Sequence, residues 1–301
     1  MLRATLVLVT GWLALAGCAA PRYQGPPLSA DRVAAAREAM AARLAGAARL
    51  AGDGEAEAHT DAPPARSWAE PELRAVFARV VRAAGPLCAA ERVECRFDLR
   101  LATEAEEANA SASGERDVTL TGPLLDRLAG EGEVAFVMAH EVGHHLGRHL
   151  HEQAAAAGGG AAAAGVLLAV LAGVAGGDEE DALGAFELGA LVGGVGAAVR
   201  YSLAAETEAD YLAAYLVARA GYDPAAGREV MLKLAALRGG AGALERSFLG
   251  THPSHPERVA ANEQAAAEIA AKAAAGQPLL PSPRPGSAAG AAGAGTAGPR
   301  R

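Results

Sequence analysis

Two histidines and a glutamate in one short segment have the spacing of a metal-dependent hydrolase. His140 and His144 are the ends of an HExxH motif, so on a helix they lie one turn apart on the same face. Two imidazoles at that separation can hold one zinc ion between them. Glu141 projects beside this face, where its carboxylate can take a proton from a water that zinc activates. The motif therefore predicts a zinc hydrolase that acts on amide bonds.

The segment around this motif has the apolar pattern of a buried helix. The apolar positions are Val134, Phe136, Val137, Val142, Leu146 and Leu150. Further helical patterns run over 30–50, 71–84, 204–216 and 223–237, and a last one ends near residue 275. Strand-like patterns cover 95–101 and 118–121, with a polar, small-residue stretch between them.

An acidic segment further along the chain offers a third metal ligand, which a catalytic zinc site usually needs. Glu206 and Asp210 are four residues apart and face the same way on a helix. One could bind zinc while the other accepts the N–H of a ligating imidazole. Spacing alone does not choose between Glu206 and Glu208, and the three acids could equally line a solvated helix face.

From about Asn109 to Arg258 the chain resembles the HtpX-like and CAAX-prenyl-protease-like families of HExxH zinc metallopeptidases. The shared elements are Asn109-Ala110 before a strand, the HExxH motif, Tyr201-Ser202 followed by Glu206-x-Glu208-Ala209-Asp210, and Thr251-His252-Pro253. The resemblance implies one zinc ion per chain, bound by His140, His144 and Glu206. It makes Glu141 the general base and Asp210 the partner of a zinc-bound histidine.

The resemblance also gives roles to two residues outside the ligand set. His252 would either approach the zinc as a blocking fourth ligand or donate to the tetrahedral oxyanion; bracing its loop is the alternative. Asn109 would line the substrate strand, or only cap a turn. The other histidines near the motif, His145, His149 and His151, are expected at the surface.

The N-terminus has the pattern of an exported lipoprotein. Residues 1–17 have the features of a signal peptide, with Arg3 followed by an apolar run. They lead into Leu15-Ala16-Gly17-Cys18, which resembles a bacterial lipobox and would make Cys18 the lipidated mature N-terminus. By that resemblance, Ala19 favours the outer membrane, facing the periplasm. An uncleaved anchor is the alternative, although the run is shorter than the about 20 residues of a membrane span.

The cysteines indicate the redox compartment of the protein, and the net charge limits the kinds of partner it can bind. With Cys18 set aside, Cys88 and Cys95 remain as a candidate disulfide in an oxidising compartment. The formal net charge is −8, without a basic patch. Nucleic acid is therefore not expected as a partner.

These features predict a mainly α (α+β) fold, a helical zincin-type protease domain with a small β-sheet edging the active-site cleft. We expect a lipidated cysteine and tether over 18–29, the peptidase domain over 30–275 and a disordered Pro/Ala/Gly tail over 276–301. The Ala/Gly-rich stretch 154–199 is expected to form a helical hairpin that is buried, lies against the membrane or spans it.

The resemblance is strongest to the family's periplasmic lipoprotein branch, which acts on outer-membrane and misfolded envelope proteins. It implies an endopeptidase for unfolded or misassembled envelope proteins, because an edge strand can pair only with an extended substrate. Two other hypotheses stay open. The protein could be a client-binding outer-membrane assembly factor with little proteolysis, or an integral-membrane protease in which 154–199 crosses the bilayer.

Overall fold

A computed structural model of the chain describes residues 20–52, 67–155, 201–237 and 252–287, together with the single residues 168 and 183. The chain divides into two structural units. The first comprises residues 1–19 and 154–198 and lies almost wholly outside the described residues, as do the predicted signal peptide, Cys18 and the hairpin. The second comprises residues 20–153 and 199–301 and contains the HExxH motif. Among the residues described, no helix is long and apolar enough to cross a membrane.

Helices make up most of the second unit. Numbered in chain order, they are α1 Ala30–Gly52, α2 Glu70–Glu91, α3 Gly122–Leu125, α4 Glu131–Leu146, α5 Leu203–Arg219, α6 Ala226–Leu237 and α7 Pro256–Ala274. Residues 149–155 are also helical. Together with one small sheet, these helices confirm the predicted mainly α (α+β) class.

The sheet has three strands, β1 Asp98–Ala102, β2 Ala110–Ser113 and β3 Asp117–Thr121, in the order β1-β3-β2. β3 pairs parallel with β1 and antiparallel with β2, so β2 is an edge strand. The prediction of only two strands was wrong. β2 is a strand because Ala110 and Ala112 point into the core while the serines between and after them do not. Alanine and serine differ too little in hydrophobicity to give a visible alternation.

Helix α4, which carries the HExxH motif, lies at the centre of the unit. It packs against α2, α5 and α6 and against β2 and β3. Every residue from Val134 to His144 is buried. A helix that is buried on all sides belongs to the core, so the motif lies inside the protein rather than on a surface face.

Helix α5 brings three carboxylates into the same interior. Its first turn is capped by Ser202, whose Oγ accepts a hydrogen bond from the N–H of Ala205 at 3.1 Å. Glu206, Glu208 and Asp210 are each at most 3% exposed. Buried carboxylates are destabilising unless they are paired, so each of the three needs a partner.

Residues 20–29, the described part of the tether predicted over 18–29, pack onto the helices of the second unit. Tyr23 is 2% exposed and forms a β-bridge with Pro283. Next to this bridge the N–H of Arg284 donates to the carbonyl of Arg22 at 2.9 Å. The N-terminal segment, residues 20–29, is therefore part of the folded unit.

The prediction of disorder was also wrong for residues 276–287. Gly276 takes a left-handed conformation (φ 63°) after α7, and the N–H of Gln277 donates to the carbonyl of Lys272 at 2.8 Å. The chain then runs to the N-terminal segment, where Ser287 is buried and its Oγ donates to the carbonyl of Arg22. Backbone pairing orders this stretch, together with the packing of the partly buried Leu279 against the core. Residues 288–301 lie outside the described residues.

Cys88 and Cys95 form a disulfide at the end of α2, with their Cα atoms 5.3 Å apart. The helix ends at Glu91, and Arg92 takes a left-handed conformation (φ 55°). This turn brings the chain back so that Cys95 reaches Cys88.

Candidate metal centre

Four buried side chains from three parts of the chain meet at one point. His140 and His144 come from α4, Glu206 from α5, and His252 from the loop before α7. One ligand atom from each lies within 4.8 Å of the others. None of the four residues is more than 2% exposed.

The distances within this cluster suit a small cation. The Nε2 atoms of His140 and His144 are 3.0 Å apart, and each lies 3.5 Å from an oxygen of Glu206. The Nδ1 atom of His252 is 2.9 Å from Glu206 Oε1 and 3.3 Å from His140 Nε2. Imidazole nitrogens and one carboxylate, converging on one point, are the donor set that zinc takes in proteins. The residues present therefore fit a zinc ion.

Glu141 lies beside the cluster and has an unusual environment. Its side chain is fully buried, and within the described part of the chain neither carboxylate oxygen forms a hydrogen bond. His252 Nε2 lies 3.7 Å from Oε1, beyond hydrogen-bonding distance. A buried carboxylate without a hydrogen bond is costly to the fold, so this group calls for a partner beyond the described residues.

Asp210 lies against the outer nitrogen of His140 and is itself bound by an arginine. Asp210 Oδ1 lies 2.8 Å from His140 Nδ1. Arg258 donates to both oxygens of Asp210, at 2.6 and 2.8 Å, and its Nη1 lies 2.7 Å from Glu206 Oε2. Arg258 thus compensates two buried carboxylates at once. It was not predicted from the sequence as part of the site, although two inward carboxylates one turn apart signal a need for a buried cation.

The local charges shift the pKa values of these groups in opposite directions. Burial disfavours the charged form of His140, but Asp210 and Glu206 outweigh it and raise the pKa to about 10. The pKa of His144 is well below its usual value, because of burial and the nearby charge on His140. Burial opposes ionisation of Glu206, yet Arg258 and His252 hold its pKa well below the ordinary range.

With its histidines neutral, as metal ligands must be, the cluster carries a net negative formal charge. Glu206, Asp210 and Glu141 stand against the single guanidinium of Arg258. A divalent cation would balance this excess, since opposite charges within a few ångströms stabilise each other strongly in a buried site.

The expectation that His149 lies at the surface was wrong. It is 1% exposed, with Nδ1 2.9 Å from His144 Nδ1 and Nε2 3.1 Å from Glu208 Oε2. α4 ends at Leu146, and Arg148 then takes a left-handed conformation (φ 61°), which turns His149 back toward the motif. An uninterrupted helix would have placed it on another face.

The other residues that the sequence analysis named as site candidates or as neighbours of the motif lie around the cluster rather than in it. His145 is partly buried, with Nε2 3.0 Å from the carbonyl of Asp117, while His151 is exposed. Tyr201 stacks on His144, with ring centroids 3.9 Å apart. Asn109 immediately precedes β2, its N–H donates to Thr121 Oγ1 at 2.7 Å, and its buried side-chain oxygen makes no hydrogen bond with the described residues.

Comparison with known proteins gives both a family and individual relatives. The sequence model of the family described as peptidase family M48 matches residues 67–266, about two thirds of the chain. The mitochondrial metalloendopeptidase OMA1 of Arabidopsis thaliana is 34% identical over 141 residues, which cover 47% of this chain and 26% of that protein. The protein of the same name from Schizosaccharomyces pombe is 30% identical over 136 residues, 45% of this chain and 37% of that protein. The chain thus matches about a quarter to a third of the length of these relatives.

Proposed function

The chain belongs to peptidase family M48, and on this basis we propose that it is a zinc-dependent endopeptidase acting on unfolded proteins. The observation that carries the proposal is the buried cluster of His140, His144, Glu206 and His252. The carboxylate of Glu141 lies beside it, without a hydrogen bond to the described residues. A cluster of this kind serves no packing purpose, because four polar side chains in a core are less stabilising there than apolar ones.

In this proposal His140, His144 and Glu206 hold one zinc ion. When bound, zinc polarises a substrate carbonyl and lowers the pKa of a water. Asp210 orients His140 by facing its Nδ1, which leaves Nε2 directed into the cluster.

Glu141 performs the proton transfers. As general base it takes a proton from the attacking water, which then adds to the amide carbon. As general acid it passes that proton to the leaving nitrogen, so the C–N bond breaks to give a carboxylate and an amine. Its burial beside the cluster and the absence of a hydrogen bond to the described residues leave both oxygens available for this exchange.

The substrate in this proposal is an extended chain segment that pairs with β2. β2 is an edge strand of the small sheet, and α4 packs against it. Pairing through backbone hydrogen bonds requires a substrate segment that is unfolded. Asn109, immediately before β2, has a buried side-chain oxygen without a hydrogen bond to the described residues, which could accept one from such a segment.

We further propose that the protein is lipid-anchored through Cys18 in the bacterial periplasm, most simply at the outer membrane, where misassembled envelope proteins are its substrates. The lipobox-like Leu15-Ala16-Gly17-Cys18 supports this placement, and a Cys88–Cys95 disulfide fits an oxidising compartment. Fractionation of cells that express Cys18→Ala tests it. The lipoprotein proposal expects that variant in the soluble periplasmic fraction, whereas an integral-membrane protease would stay with the membranes.

The first test of the catalytic proposal compares the full-length chain with Glu141→Gln, measuring bound zinc and cleavage of unfolded casein. We expect both to bind one zinc, and the variant to lose about 100- to 10,000-fold in cleavage rate. Zinc in both and cleavage by neither would favour either a site blocked by His252 or the client-binding alternative. Absence of zinc from both would show that the ligand assignment is wrong.

A further inference from the structure

Each histidine of the HExxH motif has a close partner at the nitrogen that faces away from the ligand cluster. For His140 this partner is Asp210. For His144 the partner is His149, whose Nδ1 lies 2.9 Å from His144 Nδ1. His149 is held in turn by Glu208, whose Oε2 is 3.1 Å from His149 Nε2.

The hydrogen-bond directions along this line agree with metal binding by His144. With Nε2 of His144 directed into the cluster, its Nδ1 carries the proton and donates to Nδ1 of His149. His149 then carries its own proton on Nε2 and donates it to the Glu208 carboxylate. Every donor in the line meets an acceptor, so the network fixes one tautomer for each ring.

Glu208 extends this hydrogen-bond network to the N-terminal segment. Its Oε1 accepts two backbone hydrogen bonds, from the N–H groups of Arg22 and Tyr23, both at 2.8 Å. One buried carboxylate thus connects the partner of a motif histidine to the stretch that forms the β-bridge with Pro283.

The turn after α4 is shaped to place the His149 ring. A β-carbon on Gly147 would overlap Nε2 of His149, so no larger residue fits there without moving the ring. Arg148 adopts its left-handed conformation at the same turn, and its Nη2 donates to the carbonyl of Glu91 at 3.3 Å. A glycine and a left-handed residue in succession make room for the ring and direct it to His144.

We propose that His149 and Glu208 are positioning residues for the metal ligand His144, and that Glu208 makes this support depend on docking of the N-terminal segment. The inference rests on the proposed function only in that His144 binds zinc. His149 keeps the His144 ring oriented and keeps its proton on Nδ1, so that Nε2 is always free to bind. Glu208 fixes His149 and is itself fixed by the backbone of Arg22 and Tyr23.

Zinc affinity of the purified full-length chain, measured by competition with a chelator, tests this directly. We expect His149→Ala to weaken zinc binding by about 10- to 100-fold, the usual effect of removing the partner of a ligating histidine. His149→Asn keeps an acceptor for His144 and is expected to lose less. The matched control is His151→Ala, because His151 is exposed in the same helical stretch and its loss should leave the affinity unchanged.

Glu208→Gln tests the connection to the N-terminal segment. A glutamine amide can accept hydrogen bonds on one side only, so it cannot serve both His149 and the two backbone N–H groups. We expect weaker zinc binding here too, and a changed visible absorption spectrum when Co²⁺ replaces zinc in either the His149→Ala or the Glu208→Gln variant. A residue that merely stabilises the fold would lower the unfolding temperature and leave the cobalt spectrum of the folded protein unchanged.

The inference is overturned if His149→Ala and His149→Asn are folded by circular dichroism and bind zinc as tightly as the parent. The proposed dependence on the N-terminal segment is overturned if the His149 variants bind zinc more weakly and Glu208→Gln does not. A parent chain that binds no zinc would overturn the proposed function and this inference together, whereas a zinc-binding parent with unaffected variants overturns the inference alone.

Discussion

Gly143 faces the backbone of Ala209 so closely that a β-carbon on the glycine would lie 2.9 Å from the alanine carbonyl oxygen. The two residues are on α4 and α5, the helices that supply His140, His144 and Glu206. The close approach of the histidine pair to Glu206 therefore depends on the absence of a side chain at position 143.

Gly143→Ala is expected to push α5 away from α4 and weaken zinc binding. Overpacking of this kind costs about 1–3 kcal/mol, which exceeds the about 0.5–1 kcal/mol that alanine gains over glycine in a helix. Urea unfolding and zinc titration measure the two effects. Gly46→Ala, in α1 with no atom within 4 Å of the added carbon, is the control and should be neutral or slightly stabilising. Equal stability and equal zinc affinity of the two variants would contradict the role given to Gly143.

Arg258→Ala is expected to be strongly destabilising, because it leaves the carboxylates of Asp210 and Glu206 buried without their cation. Removing one partner from a buried ion pair costs about 3–5 kcal/mol. Arg74→Ala, which breaks an exposed pair with Glu70, should cost about 0–1 kcal/mol. Urea unfolding of both variants at neutral pH checks the difference. A similar small loss in both would mean that Arg258 is not needed to balance these charges.

His252→Ala is expected to raise the rate of casein cleavage at saturating zinc. His252 Nδ1 lies among the ligand atoms, where a fourth protein ligand would occupy the position that a catalytic zinc must keep open. The rate of the variant relative to the parent, with bound zinc quantified in both, measures this effect. A fall in rate with zinc retained would instead indicate that His252 donates to the oxyanion.

The network around Glu268 predicts a pH-dependent contribution to stability. Its carboxylate accepts hydrogen bonds from Tyr211 and Ser282 and pairs with Lys272. Burial opposes ionisation, but Lys272 and the tyrosine hydroxyls outweigh it and hold the pKa of Glu268 below its ordinary 4.5. The folded state therefore favours the ionised form, and this stabilisation is present above pH 4.5 and lost as the pH falls below it.

Comparing the parent with Glu268→Gln isolates that contribution. The difference in the free energy of unfolding between the two should be constant from neutral pH down to about 5. It should then shrink as the pH drops through about 4 toward the lower pKa of the folded state. Urea unfolding under identical zinc conditions at each pH gives the difference, and a difference that grows below pH 4.5 would contradict the assignment.

The sequence was most informative where function depends on helical spacing. His140 and His144 share a face because they are one turn apart, and the same holds for Glu206 and Asp210. Local geometry of this kind needs no knowledge of the tertiary fold. For the same reason the helices around residues 71–84 and 204–216 were predicted close to the bounds of α2 and α5, although α2 extends past Pro86 to Glu91.

Features that depend on a single unusual backbone conformation could not be predicted from the sequence. His149 lies five residues after His144 and would point elsewhere on a continuous helix, and nothing in the sequence signals that Arg148 is left-handed. Arg258 reaches Asp210 and Glu206 from a different helix, which only tertiary packing decides. Part of the order in residues 276–287 comes from hydrogen bonds to the N-terminal segment, and composition does not report backbone pairing.

The bridge between Tyr23 and Pro283 brings the N-terminal segment and the stretch after α7 side by side on the second unit. Neighbouring end segments tolerate circular permutation, because the chain can be joined across them without stretching the core. The order of the elements along the chain is thus separable from the geometry inside the unit.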